Sequence, residues 1–385
     1  MPSTAILANF EEGGVAKPVA GDALWSVKMT PAAALRPDDL AALEDLILRA
    51  GAEQGGNVFF EPRAVLASSP LTKQAIHWLM WSHGDQLCFA APVIKLKPGG
   101  ISVLKIWTHT YAPLGTPLMT QRFQLAPLID ALSKQGYSAL VCPWLETDSV
   151  LARAAEHQAR HEPGFWSCQT ERVVLTSDWT CDGALSSRRK KKLRKMQRKV
   201  ALSHRVLRGD AARDEGFRQF CNLEAMGWKG EAGSALKQRD ISLKFAQELV
   251  AGHAARDTLT IDSLEDPQCS GDISVAMVIG FEQAGRGVVW KIGHNTDYDA
   301  VSPGYQLMLA ASERFVMQDN DLAIDSLAGP EHPMVGWLWS GRKTVGTLVI
   351  PLGGSLLKPR LISWLHAAEN RLRQKARAVR QRLRG

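Results

Sequence analysis

The stretch richest in chemistry is VVWKIGHNTDYDAVSPGYQLMLAASERF, residues 288–315. An apolar run of strand composition enters a polar loop. Ser302-Pro303-Gly304 follows, and then an amphipathic helical pattern. Proline and glycine at a helix start leave backbone N–H groups without intrahelical acceptors. Together with the positive end of the helix dipole, those groups suit a phosphate or pyrophosphate. A capped helix that holds no ligand fits the same residues, and both readings stand at this level.

The elements that must position this loop alternate along the chain. Helical spacing of Leu40, Leu43, Ile47 and Leu48 predicts a helix over 38–49. NVFFEP at 57–62 reads as a short turn before another helix, and 72–82 fits either helix or strand. Residues 86–108 read as two strands joined by a KPGG turn, followed by a Pro- and Gly-punctuated loop at 109–119 that carries His109 and Tyr111. A helix over 123–136, a strand over 137–145, a helix over 152–161 and a strand over 171–176 complete the first half. The second half predicts a basic helix over 184–202, helices near 214–227 and 239–252, and strands at 257–263, 273–282 and 287–293. The helix 305–318 and strands at 322–326 and 345–350 come next, and an amphipathic helix over 361–384 closes the chain. Such alternation gives an α/β or α+β architecture, and the similar order of the two halves suggests two related domains.

In the second half RRKKKLRKMQRK (188–199), LEAMGWKG (223–230), the 288–308 stretch and the strand end at Asp325–Gly329 occur in one order. This order resembles the GNAT acyltransferase superfamily, with the closest likeness to CelD-like proteins associated with bacterial cellulose and polysaccharide biosynthesis. It is also similar to Fem-type peptidyltransferases, which pair two GNAT domains. The resemblance implies an α/β (α+β) fold of two GNAT-like domains, each a mixed, mostly antiparallel twisted sheet with flanking helices. The expected organisation is a tail over 1–20, a degenerate N-terminal GNAT-like domain over 21–176, a C-terminal GNAT domain over 177–355 with the acyl-donor site, and a basic helix over 356–385.

The resemblance further implies that two middle strands splay apart and that acyl-CoA, most simply acetyl-CoA, lies in the splay. Its pantetheine would pair with strand 288–294, including Lys291, Ile292 and Gly293. Its pyrophosphate would meet Ser302 and the N–H groups of Gly304, Tyr305, Gln306 and Leu307. The loop has one glycine, one proline and no arginine, sparser than the usual GNAT loop, so a different acyl donor also fits. An amine attacking a thioester needs proximity and a proton acceptor. Asp325 is the candidate base or amine-positioning carboxylate, His294 a second proton-handling group, and Tyr305 a proton donor to the leaving thiolate. Trp228 and Lys229 are candidates for the acceptor pocket. Each of these residues has an equally ordinary packing or capping role. The expected acceptor is an amine or hydroxyl of a sugar or metabolite. An aminoacyl-tRNA-dependent peptidyltransferase and a non-catalytic GNAT-fold binding protein are the competing functions, and no metal is expected.

Charge bears on the partners. The formal net charge is +7, yet residues 188–208 hold eleven Lys/Arg and no acid, and residues 358–385 hold nine with one acid, Glu369. Without these two stretches the chain is acidic, so the basic excess is local. No recognisable nucleic-acid module accompanies it, which ranks nucleic acid last among partners. A solvated face is the ordinary reading of 188–208, read as one helix; a phosphorylated acceptor or the cofactor's own phosphates are the functional ones. The terminal stripe of Leu361, Leu365, Ala368, Leu372, Ala376, Val379 and Leu383 would most commonly pack on the body, with a peripheral anionic membrane contact as the alternative. Six scattered cysteines without C-x-x-C spacing, no basic leader and no long apolar run predict a reduced cytoplasmic protein without a transmembrane helix. The sequence sets no oligomeric state.

Overall fold

The computed structural model describes residues 25–368 apart from 55, 159–163, 228–229, 231–232, 234, 269–273, 284–285, 319–322, 354–355 and 366. The chain forms two compact units. The first comprises the described residues up to Pro62, Thr72–Thr170 and those from Thr344 onward; the second comprises Arg63–Leu71 and Glu171–Lys343.

In the first unit, β1 (Trp25–Pro31), β2 (Ile76–His83), β3 (Gln86–Leu96), β4 (Val103–Ile106) and β6 (Ala139–Glu146) lie in that order, with the short β5 (Leu118–Met119) against β3. The ambiguous stretch 72–82 resolves as a strand, because Gly84 takes φ +58° and turns β2 tightly back along β3. The KPGG segment joins β3 to β4 as expected. All pairings are antiparallel except β4 with β6. The helix Leu125–Lys134 lies on the connection between these two, as a parallel pair requires. Val345–Pro351 pairs with β6, so this strand lies with the first unit although the sequence order attaches it to the second half.

The second unit repeats this plan. Its strands are β7 (Phe165–Thr176, of which 171–176 lie here), β8 (Ser203–Arg208), β9 (Leu259–Glu265), β10 (Ser274–Gln283), β11 (Arg286–His294) and β12 (Ala323–Asp325). They run in the order β8-β9-β10-β11-β12-β7. Again one pair is parallel, β11 with β12, bridged by the helix Pro303–Gln318. The core joins Val173, Leu175, Val278, Val289 and Ile324 from the sheet to Leu307, Met308, Ala311 and Phe315 of that helix.

One expectation is corrected here. The basic stretch 188–208 is not one helix. The helix spans Ser187–Lys199, and Ser203–Arg208 is the outer strand, paired with β9. His204, Arg205 and Arg208 give this edge the charge that discourages strand addition. Among the described residues no helix is long and apolar enough to cross a membrane.

Candidate functional site

β11 and β12 pair at Arg286↔Ala323, Gly287↔Ile324 and Val288↔Asp325, and no further. β12 ends at Asp325, while β11 runs on to His294. The register of β11 on β10 skips from Ile279↔Lys291 to Gly280↔Val289, so Trp290 is an extra bulge residue. A bulge bends a strand and increases its twist, just where β11 leaves β12. Beyond Val288 the two strands therefore part, and Val289–His294 line one wall of the wedge between them.

Beyond the bulge, alternate residues of β11 face two different helices. Ile292 and His294 face the helix Pro303–Gln318: a Cβ on Gly304 would lie 3.6 Å from Ile292 Cδ1 and 3.9 Å from His294 Nδ1. Lys291 and Gly293 face the helix Phe217–Met226. A Cβ on Gly293 would lie 3.0 Å from Glu224 N, and Lys291 Nζ is 2.8 Å from Glu224 Oε1. Leu236 N donates to Glu224 Oε2 at 2.9 Å, so this buried carboxylate ties strand, helix and the following turn together. Glu224 lies within LEAMGWKG, yet sequence reasoning passed over it. Its only sequence signal is an acid among apolar helical positions, and burial alone reveals its partner.

The loop before the helix is held by its own polar groups. Asn295 Oδ1 accepts from Asp297 N at 3.0 Å, His294 Nε2 is 2.8 Å from Asp299 Oδ1, and Ser302 adopts the left-handed conformation at φ 48°. A non-glycine residue there is uncommon. The N–H groups of Tyr305 and Gln306 donate to Ser302 O at 3.1 and 3.2 Å, so these two members of the expected cradle already have an acceptor. The Gln306 amide donates to Val301 O at 2.8 Å, and the Leu307 side chain is in the core. Both side chains pack the helix, whereas Ser302 and Tyr305 face a cavity.

That cavity, about 250 Å³, is lined by Arg189, Lys192, Leu193 and Met196 of the basic helix, by Ser302 and Tyr305, and by Pro333, Met334 and Trp337. Trp337 Nε1 donates to Pro333 O at 2.6 Å. The Arg189 guanidinium lies 3.8 Å from the Trp337 ring centroid, and the Tyr305 ring lies 5.0 Å from it. The Tyr305 hydroxyl is buried and meets no hydrogen-bond partner among the described residues. Burial pushes its pKa up to about 12, so it stays protonated at neutral pH. The cavity is smaller than the ~300–1,000 Å³ of ordinary ligand pockets, so it has room for only part of a ligand of that kind.

Asp325 is deeply buried. Its Oδ2 is 3.0 Å from both Arg172 Nη1 and Lys343 Nζ, and its Oδ1 accepts from Leu327 N at 2.7 Å. Burial alone raises its pKa, but Lys343 and Arg172 outweigh it and hold the carboxyl below the usual range. Its partners give this carboxylate a place at the strand end, shared with Arg172, Lys343 and the Leu327 N–H. Trp228 and Lys229 lie outside the described residues. Among the described residues no group of three His, Cys, Asp or Glu could hold a metal.

The first unit has a corresponding parting of strands, since β4 and β6 pair only over Val103–Lys105. There the chain's own loop lies beside β6: Gly115 N donates to Trp144 O at 3.2 Å, and a Cβ on Gly115 would lie 1.9 Å from Pro143 O. The Asn57 amide holds this loop through Leu114 O and Thr116 O at 2.9 and 2.8 Å. His109 lies tilted against Trp107 and edge-on to Tyr111, and burial pushes its pKa down to about 4.

Residues 186–332 match the family model described as an acetyltransferase (GNAT) domain, so this part of the chain carries a GNAT-type domain, of the acyltransferase class. Among solved structures, FemX is similar over 84% of this chain and 98% of its own, with 10% identity and a TM-score of 0.54, a likeness of fold. A conserved protein of unknown function from Bacteroides thetaiotaomicron VPI-5482 covers 81% of this chain and 97% of its own at 10% identity and TM-score 0.47. L-PGS from Bacillus licheniformis covers 87% and 98% at 14% identity and TM-score 0.46. No curated protein sequence matches the chain.

Proposed function

We propose that this protein is an N-acyltransferase that moves an acetyl group from acetyl-CoA to an amine, or a hydroxyl, of a sugar or metabolite linked to polysaccharide or envelope biosynthesis. The observation that carries the reading is the parting of β11 from β12 after Val288↔Asp325, beside a helix that begins with Pro303-Gly304. The thioester arm would lie along Val289–His294. The anionic part would lie near Gly304, with Arg189 and Lys192 at the cavity's basic wall.

The chemistry asked of the chain is modest. The acceptor nitrogen attacks the thioester carbonyl, the C–S bond breaks, and the thiolate leaves. Tyr305, protonated at neutral pH and with no hydrogen-bond partner for its hydroxyl among the described residues, is suited to give that thiolate its proton. His294, whose Nε2 lies 2.8 Å from Asp299 Oδ1 and whose Nδ1 lies on the Gly304 side, is suited to take the acceptor's proton. Asp325 positions the strand end through Arg172 and Lys343. The first unit is a degenerate copy in this reading, supported by the loop at 113–116 that lines β6.

Calorimetry with acetyl-CoA tests the proposal. Binding is expected, and Gly304→Val, whose branch would intrude between Ile292 and His294, should weaken it at least about tenfold, or roughly 1.4 kcal/mol. No heat at millimolar acetyl-CoA would sink the reading. A second function, an aminoacyl-tRNA-dependent Fem-like peptidyltransferase, is favoured by the basic helix on the cavity wall. It predicts salt-sensitive binding of charged tRNA. Tight acetyl-CoA binding with no turnover across a panel of amines would instead indicate a binding protein.

A further inference from the structure

The helix Ser187–Lys199 reads SRRKKKLRKMQRK, nine Lys/Arg and no acid. Met196 is buried, and Leu193 packs against the core of the second unit. At about 100° per residue, Arg188, Lys191, Lys195, Arg198 and Lys199 share a different arc of the helix, itself about 100° wide. All five are exposed. Among the described residues none of the five has an ion-pair partner; the nearby Asp182 pairs with Lys190 at 2.7 Å. An ordinary surface intersperses both signs. Here like charges three and four residues apart repel one another, and Arg188 stands in the first turn, where the helix dipole disfavours a cation. No described acid offsets these costs along the stripe, and a bound anion would.

The stripe leads to the candidate site. On the helix, Lys192 lies between the stripe and the part of the cavity wall formed by Arg189, Leu193 and Met196. A chain laid along the stripe therefore has one end at the cavity. The stripe's own chemistry selects that chain. Its five residues include no apolar or aromatic side chain, so they offer nothing to enter a lipid interface or to stack on nucleic-acid bases. Arg188, Lys191, Lys195 and Arg198 follow one another at roughly 5 Å along the axis. That is wider than the about 3.4 Å between phosphates on one strand of a duplex, and it suits one carboxylate per sugar ring in an extended chain. We propose that the acceptor is an anionic polysaccharide, a polymer of carboxylated sugars, held along Arg188, Lys191, Lys195, Arg198 and Lys199 with its end at the cavity. The inference rests on the acyltransferase reading and names its acceptor. A hydroxyl oxygen of the chain end bonds to the acyl carbon, the C–S bond breaks, and the hydroxyl's proton is balanced by the one the thiolate gains, which leaves an ester and a free thiol.

Calorimetry of the full-length protein with polygalacturonate tests it. Binding is expected, weakening at least about tenfold between about 50 and 200 mM salt, with no heat from dextran, a neutral polysaccharide. Arg188→Gln/Lys191→Gln/Lys195→Gln/Arg198→Gln should weaken polygalacturonate binding at least about tenfold and keep acetyl-CoA binding, because none of the four lines the cavity. Relieved of like-charge repulsion, this variant should melt no lower than the wild type. A variant that removes as much charge elsewhere, Lys73→Gln/Lys95→Gln/Lys97→Gln/Lys244→Gln at exposed positions, should bind polygalacturonate as the wild type does. Equal weakening by both variants, or no polygalacturonate binding at all, would overturn the proposal. So would tighter binding of tRNA or duplex DNA at the same salt, which would assign the stripe to nucleic acid. Acetyl-CoA binding without polygalacturonate binding removes this inference alone. Polygalacturonate binding without acetyl-CoA binding removes the acyltransferase reading and leaves the stripe as a polysaccharide-binding surface.

Discussion

Tyr305 is where a single atom makes a sharp statement. Its hydroxyl is buried and has no hydrogen-bond partner among the described residues, and a buried hydroxyl left so costs roughly 1–3 kcal/mol. Tyr305→Phe should therefore leave the melting temperature unchanged or raise it slightly. If the hydroxyl serves the leaving thiolate, the same change should lower kcat about tenfold or more. A variant that loses stability and keeps kcat would return Tyr305 to packing. The contrast with Lys291 is instructive. Both residues are visible in the same motif, but Lys291 is committed to Glu224 at 2.8 Å on the face away from the helix Pro303–Gln318. Lys291→Ala would strand that carboxylate, and breaking such a buried pair costs about 3–5 kcal/mol, measurable by denaturant melts.

At the scale of elements, the helix Pro303–Gln318 does two jobs. Its first turn meets the wedge, and its later turns are anchored to the sheet. Arg314 Nη2 is 2.7 Å from Asp262 Oδ2 on β9 and 2.9 Å from Glu282 Oε1 on β10, while His204 of β8 is 2.9 Å from the other Asp262 oxygen. One arginine thus fixes the helix to two adjacent strands, and the Asp262 side chain is fully buried. Arg314→Met should lower stability by about 3–5 kcal/mol and loosen the helix start, weakening donor binding even though Arg314 lies three turns from Gly304. A calorimetric comparison of Arg314→Met with the wild type checks this. The helix itself is legible from Pro303, Gly304 and the spacing of Leu307, Leu309 and Ala311. Its anchor is not, because Asp262 and Glu282 are about 50 and 30 residues away and nothing local in their strands points to Arg314.

For the molecule as a whole, three carboxylates stand out in chemically similar settings. Asp39 beside Lys28, Asp262 beside His204 and Arg314, and Asp325 beside Lys343 and Arg172 each face a burial that raises the pKa and basic partners that outweigh it. A carboxyl whose pKa is lower folded than unfolded adds stability that is present above the unfolded value, about 3.9. That stability is lost as pH falls through the lowered folded value. The melting temperature should hold from neutral pH to about pH 4 and then fall steeply, with Asp325→Asn removing part of the fall. A protein equally stable at pH 2 and pH 7 would contradict it. The local distribution of charge has the same logic: among the described residues the basic excess lies on the helix Ser187–Lys199 and the edge strand Ser203–Arg208, where solvent can meet it.

The sequence by itself determined the order of elements, the helix start at Ser302-Pro303-Gly304 and the GNAT likeness of the second half, because periodicity and turn chemistry are local. It also displayed the terminal apolar stripe, since spacing alone defines a helical face. Tertiary structure decided what those features meet. The wedge exists because β11 stops pairing with β12 at Val288. Asp325 became a buried ion-pair centre because Arg172 and Lys343 arrive from distant strands. Residues 203–208 became an edge strand because β9 offers them a partner. The stripe at Leu361 and Leu365 stayed exposed because Ile362, on the other side of the same helix, supplies the contact with the core. Each outcome depends on which surface is buried against which neighbour, a non-local choice that residue types along one segment do not encode.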